Sequence, residues 1–362
     1  MDRTMEKRIP NRSNPNRMKH CFHIDTILIL IALVSCTERI PVPTVRSGDS
    51  SLIIDASISP ETKAPVTATT FSDGETMGLF VCKHEDGEPS EFIEHSKSMN
   101  NIRAIWNSNR YNGPGFRFNF MYDMDISFEN LAITSTAGCN ADIYAYAPYR
   151  MKEKAAEQFS PRNVKWNFSE QYDLMYAREN GAGNRDLVPD GEPKDVKLHF
   201  EHALARIRVG VRCQLEGYYS ARYSRLTLSK VSDDAGTDLF QQGCFDIVEK
   251  TFVSHESPAG SISVSNGKNF NASEYQFTDM LIIPTELKGD NELKIILTIN
   301  GDNLLNDYII KTSDVTDEDG KVGFRPGYTY TFLFDIDNYI RIAAPVKIDS
   351  CWKDDVFDDR YI

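Results

Sequence analysis

Apolar and polar residues alternate along most of this chain with a period of two, the spacing of a strand with one face buried. In Ser51–Ser59, Leu52, Ile54, Ala56 and Ile58 share a face, and only Ile53 interrupts the other. Val196, Leu198 and Phe200 alternate with Lys197, His199 and Glu201. Ala203, Ala205, Ile207, Val209 and Val211 then alternate with Leu204, Arg206, Arg208, Gly210 and Arg212. The apolar phase therefore slips from even to odd numbers around His202. A one-residue slip turns every side chain to the other face, so a bulge or a strand break with a change of sheet is expected there. Further on, Leu293, Ile295, Leu297 and Ile299 alternate, and Asn300-Gly301-Asp302-Asn303 supplies a turn before Tyr308–Ile310. Tyr328, Tyr330, Phe332, Phe334 and Ile336 form a long aromatic face, and Ile340, Ile342, Ala344, Val346 and Ile348 form the last one. Helical periodicity is confined to a short surface segment, Met151–Gln158.

This pattern predicts an all-β fold of many short strands separated by Gly, Asn and Asp turns. With 362 residues the chain exceeds what one core usually supports. Two tandem β-sandwiches are expected, at 50–201 and 202–362, joined at the phase slip. Aromatic residues reach 11%, with 16 Tyr and 20 Phe, which favours strands. The formal net charge of −13 argues against nucleic acid as a partner, because phosphate binding needs a basic face.

The charge is unevenly spread. Residues 1–25 carry six basic residues against three acidic ones, and an apolar run, Thr26–Val34, follows. The run is too short to span a bilayer, which takes about 20 residues. A basic region before a short apolar core is the pattern of a secretory signal. Met18 opens a more conventional signal than Met1. The run ends in Leu33-Val34-Ser35-Cys36, which resembles the bacterial lipobox. That resemblance implies residues 1–35 as a lipoprotein signal peptide, acyl chains on Cys36, residues 36–49 as a tether, and a lipid-anchored, surface-exposed position at the outer membrane. Two or three chains suffice for stable anchoring. Without residues 1–35 the chain keeps 34 basic and 50 acidic residues, a net charge of −16.

No convergent catalytic set is visible, so no enzyme activity and no cofactor are expected. There is no Gly-x-Ser-x-Gly, phosphate loop or dinucleotide fingerprint. His199 and His202 are three apart, which on a strand puts them on opposite faces and disfavours metal binding. The acidic run Asp314–Gly320 lacks the ligand offsets of a calcium loop and is expected to be a solvated hairpin. Cys82, Cys139, Cys213, Cys244 and Cys351 have no metal spacing and are expected as free thiols. Trp106, Trp166 and Trp352 suit either a core or a sugar platform, the latter favouring a glycan-binding surface lipoprotein.

A series of landmarks runs through the chain: Thr62-Lys-Ala64, Phe71-Ser-Asp-Gly-Glu-Thr-Met-Gly-Leu-Phe-Val81, Asp142-Ile-Tyr-Ala-Tyr-Ala-Pro-Tyr149 and Asp173-Leu-Met-Tyr-Ala177. Leu198-His-Phe-Glu-His-Ala-Leu-Ala-Arg-Ile-Arg208, Ile282-Ile-Pro-Thr285, Phe324-Arg-Pro-Gly-Tyr-Thr-Tyr330 and Trp352 follow. In this order, behind a lipobox, they resemble the Bacteroidetes fimbrillin family, in its fimbrillin-like lipoprotein branch. The resemblance implies two transthyretin-like β-sandwiches and a subunit of type V pili at the cell outer membrane. It also implies that a trypsin-like protease removes the N-terminal strand and that the vacated groove accepts a strand from another fimbrial subunit. Ser51–Ser59 is the matching strand. Lys63, between Pro60 and Pro65, is the processing site that would release it. Arg46 is an alternative that would free the lipid without opening a groove. The short, acidic stretch after Trp352 points to a tip or accessory subunit in adhesion. The alternative is a glycan-binding outer-membrane lipoprotein.

Overall fold

The computed structural model describes residues 53–58, 71, 75–85, 88–92, 94–95, 97–98, 100–107, 117–120, 141–150, 159–178, 195–213, 222–269, 273–299, 302–303, 307–336 and 340–350. Regular structure among them consists of strands and two short 3-10 turns, Phe168–Glu170 and Thr312–Asp314, with no α-helix. The segment 151–158 lies outside the described residues.

Strands are numbered in chain order. The first eleven are β1 Ile53–Ile58, β2 Thr76–Glu85, β3 Glu88–Phe92, β4 Glu94–His95, β5 Lys97–Ser98, β6 Ile102–Asn107, β7 Arg117–Phe120, β8 Ala141–Ala147, β9 Val164–Asn167, β10 Met175–Arg178 and β11 Asp195–His202. The next six are β12 Ala205–Cys213, β13 Arg222–Lys230, β14 Leu239–Asp246, β15 Thr251–Ala259, β16 Ser261–Asn269 and β17 Gln276–Ile282. The last are β18 Leu293–Ile299, β19 Asp302–Asn303, β20 Tyr308–Ile309, β21 Thr329–Ile336, β22 Ile340–Ile342 and β23 Lys347–Asp349.

An eight-stranded sheet has the order β3-β2-β6-β7-β1-β11-β10-β8, and β2 also pairs β8, so the pairing returns on itself. Two five-stranded sheets follow, β17-β12-β21-β22 with β23 on β21, and β16-β13-β18-β19 with β20 on β18. They meet face to face where the Tyr308 ring packs 6.1 Å from Phe332 and 5.4 Å from Phe334. A three-stranded sheet, β15-β14-β9, joins a strand of the first half to two of the second. The described residues fall within one compact unit, Arg46–Ile362.

The phase slip is a strand break with a change of sheet. β11 ends at His202 in the eight-stranded sheet, and β12 begins at Ala205 in another. Ala203 and Leu204 between them are fully buried. Of their backbone groups, Ala203 N donates to Leu174 O and Leu204 O accepts from Gly327 N.

Two strands differ from simple alternation. β12 and β21 are buried on both faces, with Thr329, Thr331 and Leu333 covered as well as Tyr330, Phe332 and Phe334. They pair in parallel, and Arg206, Arg208 and Arg212 lie on the outer face in register with Thr329, Thr331 and Asp335. Their aliphatic stems cover that face. Their charged ends find Asp279 (2.6 Å from Arg206), the Phe277 ring (4.6 Å from Arg208) and Asp335 (3.0 Å from Arg212). The final apolar face is split into β22 and β23, because Pro345 has no N–H to continue the ladder. Ala343 N bonding Leu333 O holds the intervening chain to β21.

The landmarks of the sequence contact one another in pairs. Gly78 of β2 stands opposite Tyr146 of β8. A Cβ at Gly78 would come within 2.2 Å of the Tyr146 ring, so only glycine leaves the ring its place. The Tyr146 hydroxyl donates to Asn101 Oδ1 at 2.7 Å and accepts from Arg150 N at 3.2 Å. Thr285 and Phe324 exchange both backbone hydrogen bonds, at 2.9 and 2.8 Å. The Tyr330 hydroxyl closes the same corner, donating to Gly323 O at 2.7 Å and accepting from Arg325 N at 3.0 Å. Replacing Gly78 with Ala is expected to displace Tyr146 and destabilise the fold by about 1–3 kcal/mol, read as a lower urea midpoint with an unchanged slope.

Candidate functional site

β1 is the first described strand, yet it sits inside the sheet. It runs parallel to β11 through six register pairs, from Ile53↔Asp195 to Ile58↔Phe200. Its other edge meets β7 antiparallel through one pair, Asp55↔Arg117. The apolar positions Ile54, Ala56 and Ile58 stand in register with Val196, Leu198 and Phe200. Leu198 and Phe200 are fully buried, and the Phe71 ring meets Phe200 edge-on at 5.0 Å. Removing β1 would leave unpaired backbone edges on β11 and β7 and uncover an apolar line. Both are costly until another strand takes the place.

The far end of β11 is firmly tied. His202 Nδ1 lies 2.8 Å from Asp173 Oδ2, joining two of the sequence landmarks. Glu201 accepts from the Tyr176 hydroxyl at 2.6 Å and from Lys250 Nζ at 3.1 Å. His199 is exposed while His202 is half-buried, as their spacing on a strand requires. No group of three or more His, Cys, Asp or Glu poised for a metal occurs among the described residues.

The acidic run is a hairpin organised around an internal cation. Asp317 Oδ1 accepts from Asp319 N and Lys321 N, both at 2.9 Å, and Oδ2 takes the Arg325 guanidinium. That guanidinium also lies 4.6 Å from the Tyr328 ring centre. Burial works to raise the Asp317 pKa, but the Lys321 N–H and the Arg325 pair outweigh it and hold the carboxyl below its usual range. Asp317 itself is buried and not solvated, unlike the expectation for the run. The arginine occupies the position from which a cation can neutralise it.

Trp166 is core: it is 1% exposed, and its Nε1 donates to Tyr172 O at 3.0 Å. It offers no surface for a sugar. Trp106 falls on β6, and Trp352 lies outside the described residues. Cys82 and Cys213 are buried free thiols and Cys244 is a half-buried one. Burial and the nearby Asp142 push the Cys82 thiol up to about 12, which keeps it protonated and unreactive. The signal, Cys36, Arg46 and Lys63 lie outside the described residues. Among these residues no helix is long and apolar enough to cross a membrane.

Sequence periodicity located β1 but not its partners. Nothing local distinguishes a strand that pairs with its neighbour from one that pairs, in parallel, with a strand about 140 residues away. Gln171 was also missed. Its side-chain amide accepts from Leu281 N at 2.9 Å and donates to Leu281 O at 3.2 Å, standing in for a strand at the edge of β17.

The architecture is that of an all-β protein whose first described strand is inserted into a sheet built from later parts of the chain. Residues 62–350 match the family described as fimbrillin-like, and the chain belongs to that family. No curated protein matches the chain. Among solved structures, a candidate cell adhesion protein from Bacteroides ovatus aligns with a TM-score of 0.54 at 12% identity, over 84% of this chain and 99% of its own. A second candidate cell adhesion protein, from Bacteroides uniformis, gives 0.48 at 12% identity, over 83% of this chain and 98% of its own. A fimbrial protein from Bacteroides vulgatus gives 0.40 at 14% identity, over 82% and 98%.

Replacing Arg325 with Ala is expected to cost about 1.5–3 kcal/mol, the range for a hydrogen bond to a charged group. The Asp317 contribution has a defined sign with pH. Its folded pKa is lowered, so its stabilisation is present above the unfolded value of about 3.9 and is lost as pH falls through the folded value. Urea midpoints at pH 7 and pH 3 should therefore differ less in Asp317→Asn than in the parent chain.

Proposed function

We propose that this chain is a lipidated, non-enzymatic subunit of a type V pilus that assembles by strand exchange at the outer membrane and serves adhesion. Its two sandwiches are residues 50–201 and 202–362. The lipid is carried on Cys36. One observation carries the proposal: β1 is held by six pairs to β11 and by one to β7. In the sequence, β1 lies between Arg46 and Lys63. A trypsin-like protease cutting after Lys63 would detach β1 together with the lipid, and the unpaired β11 edge would take a strand from another fimbrial subunit. A cut at Arg46 would free the lipid while leaving β1 in place.

The tip or accessory position is supported at the other end. β22 and β23 lie along β21 and complete its sheet, so in this conformation they serve their own subunit. A subunit that receives a strand without offering one suits the end of a fibre.

Limited digestion of the purified chain with a trypsin-like protease tests this. Loss of the segment ending at Lys63, followed by capture of an added donor-strand peptide, is the expected result, and Lys63→Gln should suppress both. A chain cut after Lys63 that binds no donor peptide would count against strand exchange.

A further inference from the structure

We propose that β16 is a self-association edge, pairing antiparallel with β16 of a second copy about a two-fold axis at Ser263. This does not rest on the strand-exchange reading, since it concerns a different sheet from the one that holds β1.

β16 ends the order of its five-stranded sheet, with β13 on one side and no strand paired on the other among the described residues. Folded proteins ordinarily blunt such edges with charge, proline or bulges. β15 carries Pro258, and its ladder to β14 shifts register between Cys244 and Phe245. β17 carries Asp279 and is capped by Gln171. The split β22–β23 edge carries Arg341 and Lys347. From Ser261 to Gly267, β16 has no charge and no proline. Its ladder to β13 is continuous over Ser261–Ser265. The Asn266 amide donates to Thr278 Oγ1, which fixes the far end of the strand to β17 and leaves Ser261–Ser265 as the open stretch.

The sequence of this stretch identifies its occupant. Antiparallel pairing about Ser263 sets Ser263 opposite Ser263, Ser261 opposite Ser265, and Ile262 opposite Val264. Hydroxyl meets hydroxyl on the exposed face, and apolar meets apolar on the buried face. Ser261, Ser263 and Ser265 are exposed and Ile262 is buried, whereas Val264 is only partly covered. The partner's Ile262 would complete its burial. Charge selects the same place. Two copies of a chain at −13 repel, and strands must approach to about 4.8 Å to pair. An uncharged edge is where that approach is least opposed. The nearest charge on β13 is Arg225, in register with Ser265. The two-fold makes the interface closed, so it yields dimers and not an open chain of subunits.

Cysteine cross-linking of the full chain in detergent tests the register. Under mild oxidation Ser263→Cys is expected to give a reducible dimer well above the parent chain. Ser261→Cys and Ser265→Cys should each stay at the parent level alone and cross-link when mixed. Ser263→Lys, which sets two ammonium groups against each other, should abolish the dimer in sedimentation velocity. Parent-level cross-linking of Ser263→Cys, equal cross-linking of Ser261→Cys by itself, or a dimer that survives Ser263→Lys would each overturn the proposal.

Discussion

The parallel pairing of β1 with β11 is the contact that closes the ring of strands in the eight-stranded sheet. Strand edges carry backbone groups that must be satisfied, and β11 has β10 on one side and β1 on the other. Without β1 that ring opens between β7 and β11, and the β2–β8 pairing joins the two sides. Among the described residues β1 makes six register pairs with β11 and one with β7. Beyond β11 the chain enters the second half through the buried Ala203–Leu204 link, so the strand that holds β1 is also the one that joins the two halves.

Side-chain contacts tie that region to the rest of the framework. The His202–Asp173 and Glu201–Tyr176–Lys250 contacts fix the end of β11. Trp166 and Tyr146, both fully buried, anchor the surrounding core. Beside the Ala203–Leu204 link, where Gly327 N bonds Leu204 O, the Asp317–Arg325 pair and the Tyr330 hydroxyl fix the corner before β21. These polar groups lie at strand ends and corners, where the ladder alone does not satisfy the backbone.

Much of the fold was legible as periodicity. The strands at 53–58, 195–202, 205–213, 293–299 and 329–336 appear where apolar residues recur every second position. The break near His202 was visible because a change of phase requires a change of face. The family landmarks were legible as an ordered list, but their meaning was not. Gly78 looks unremarkable until the Tyr146 ring is found over it, and Asp317 looks like part of a solvated acidic loop until Arg325 is found beside it.

Local chemistry in the sequence determined the element type, the phase slip, the turns and the family, because strand periodicity and turn residues act between neighbours along the chain. Tertiary structure alone decided that β1 pairs with β11 in parallel, that β12 and β21 are covered on both faces, and that Trp166 is core. These depend on which strands meet across long separations, and one strand's pattern of apolar residues fits many partners equally well until backbone pairing and close packing select one.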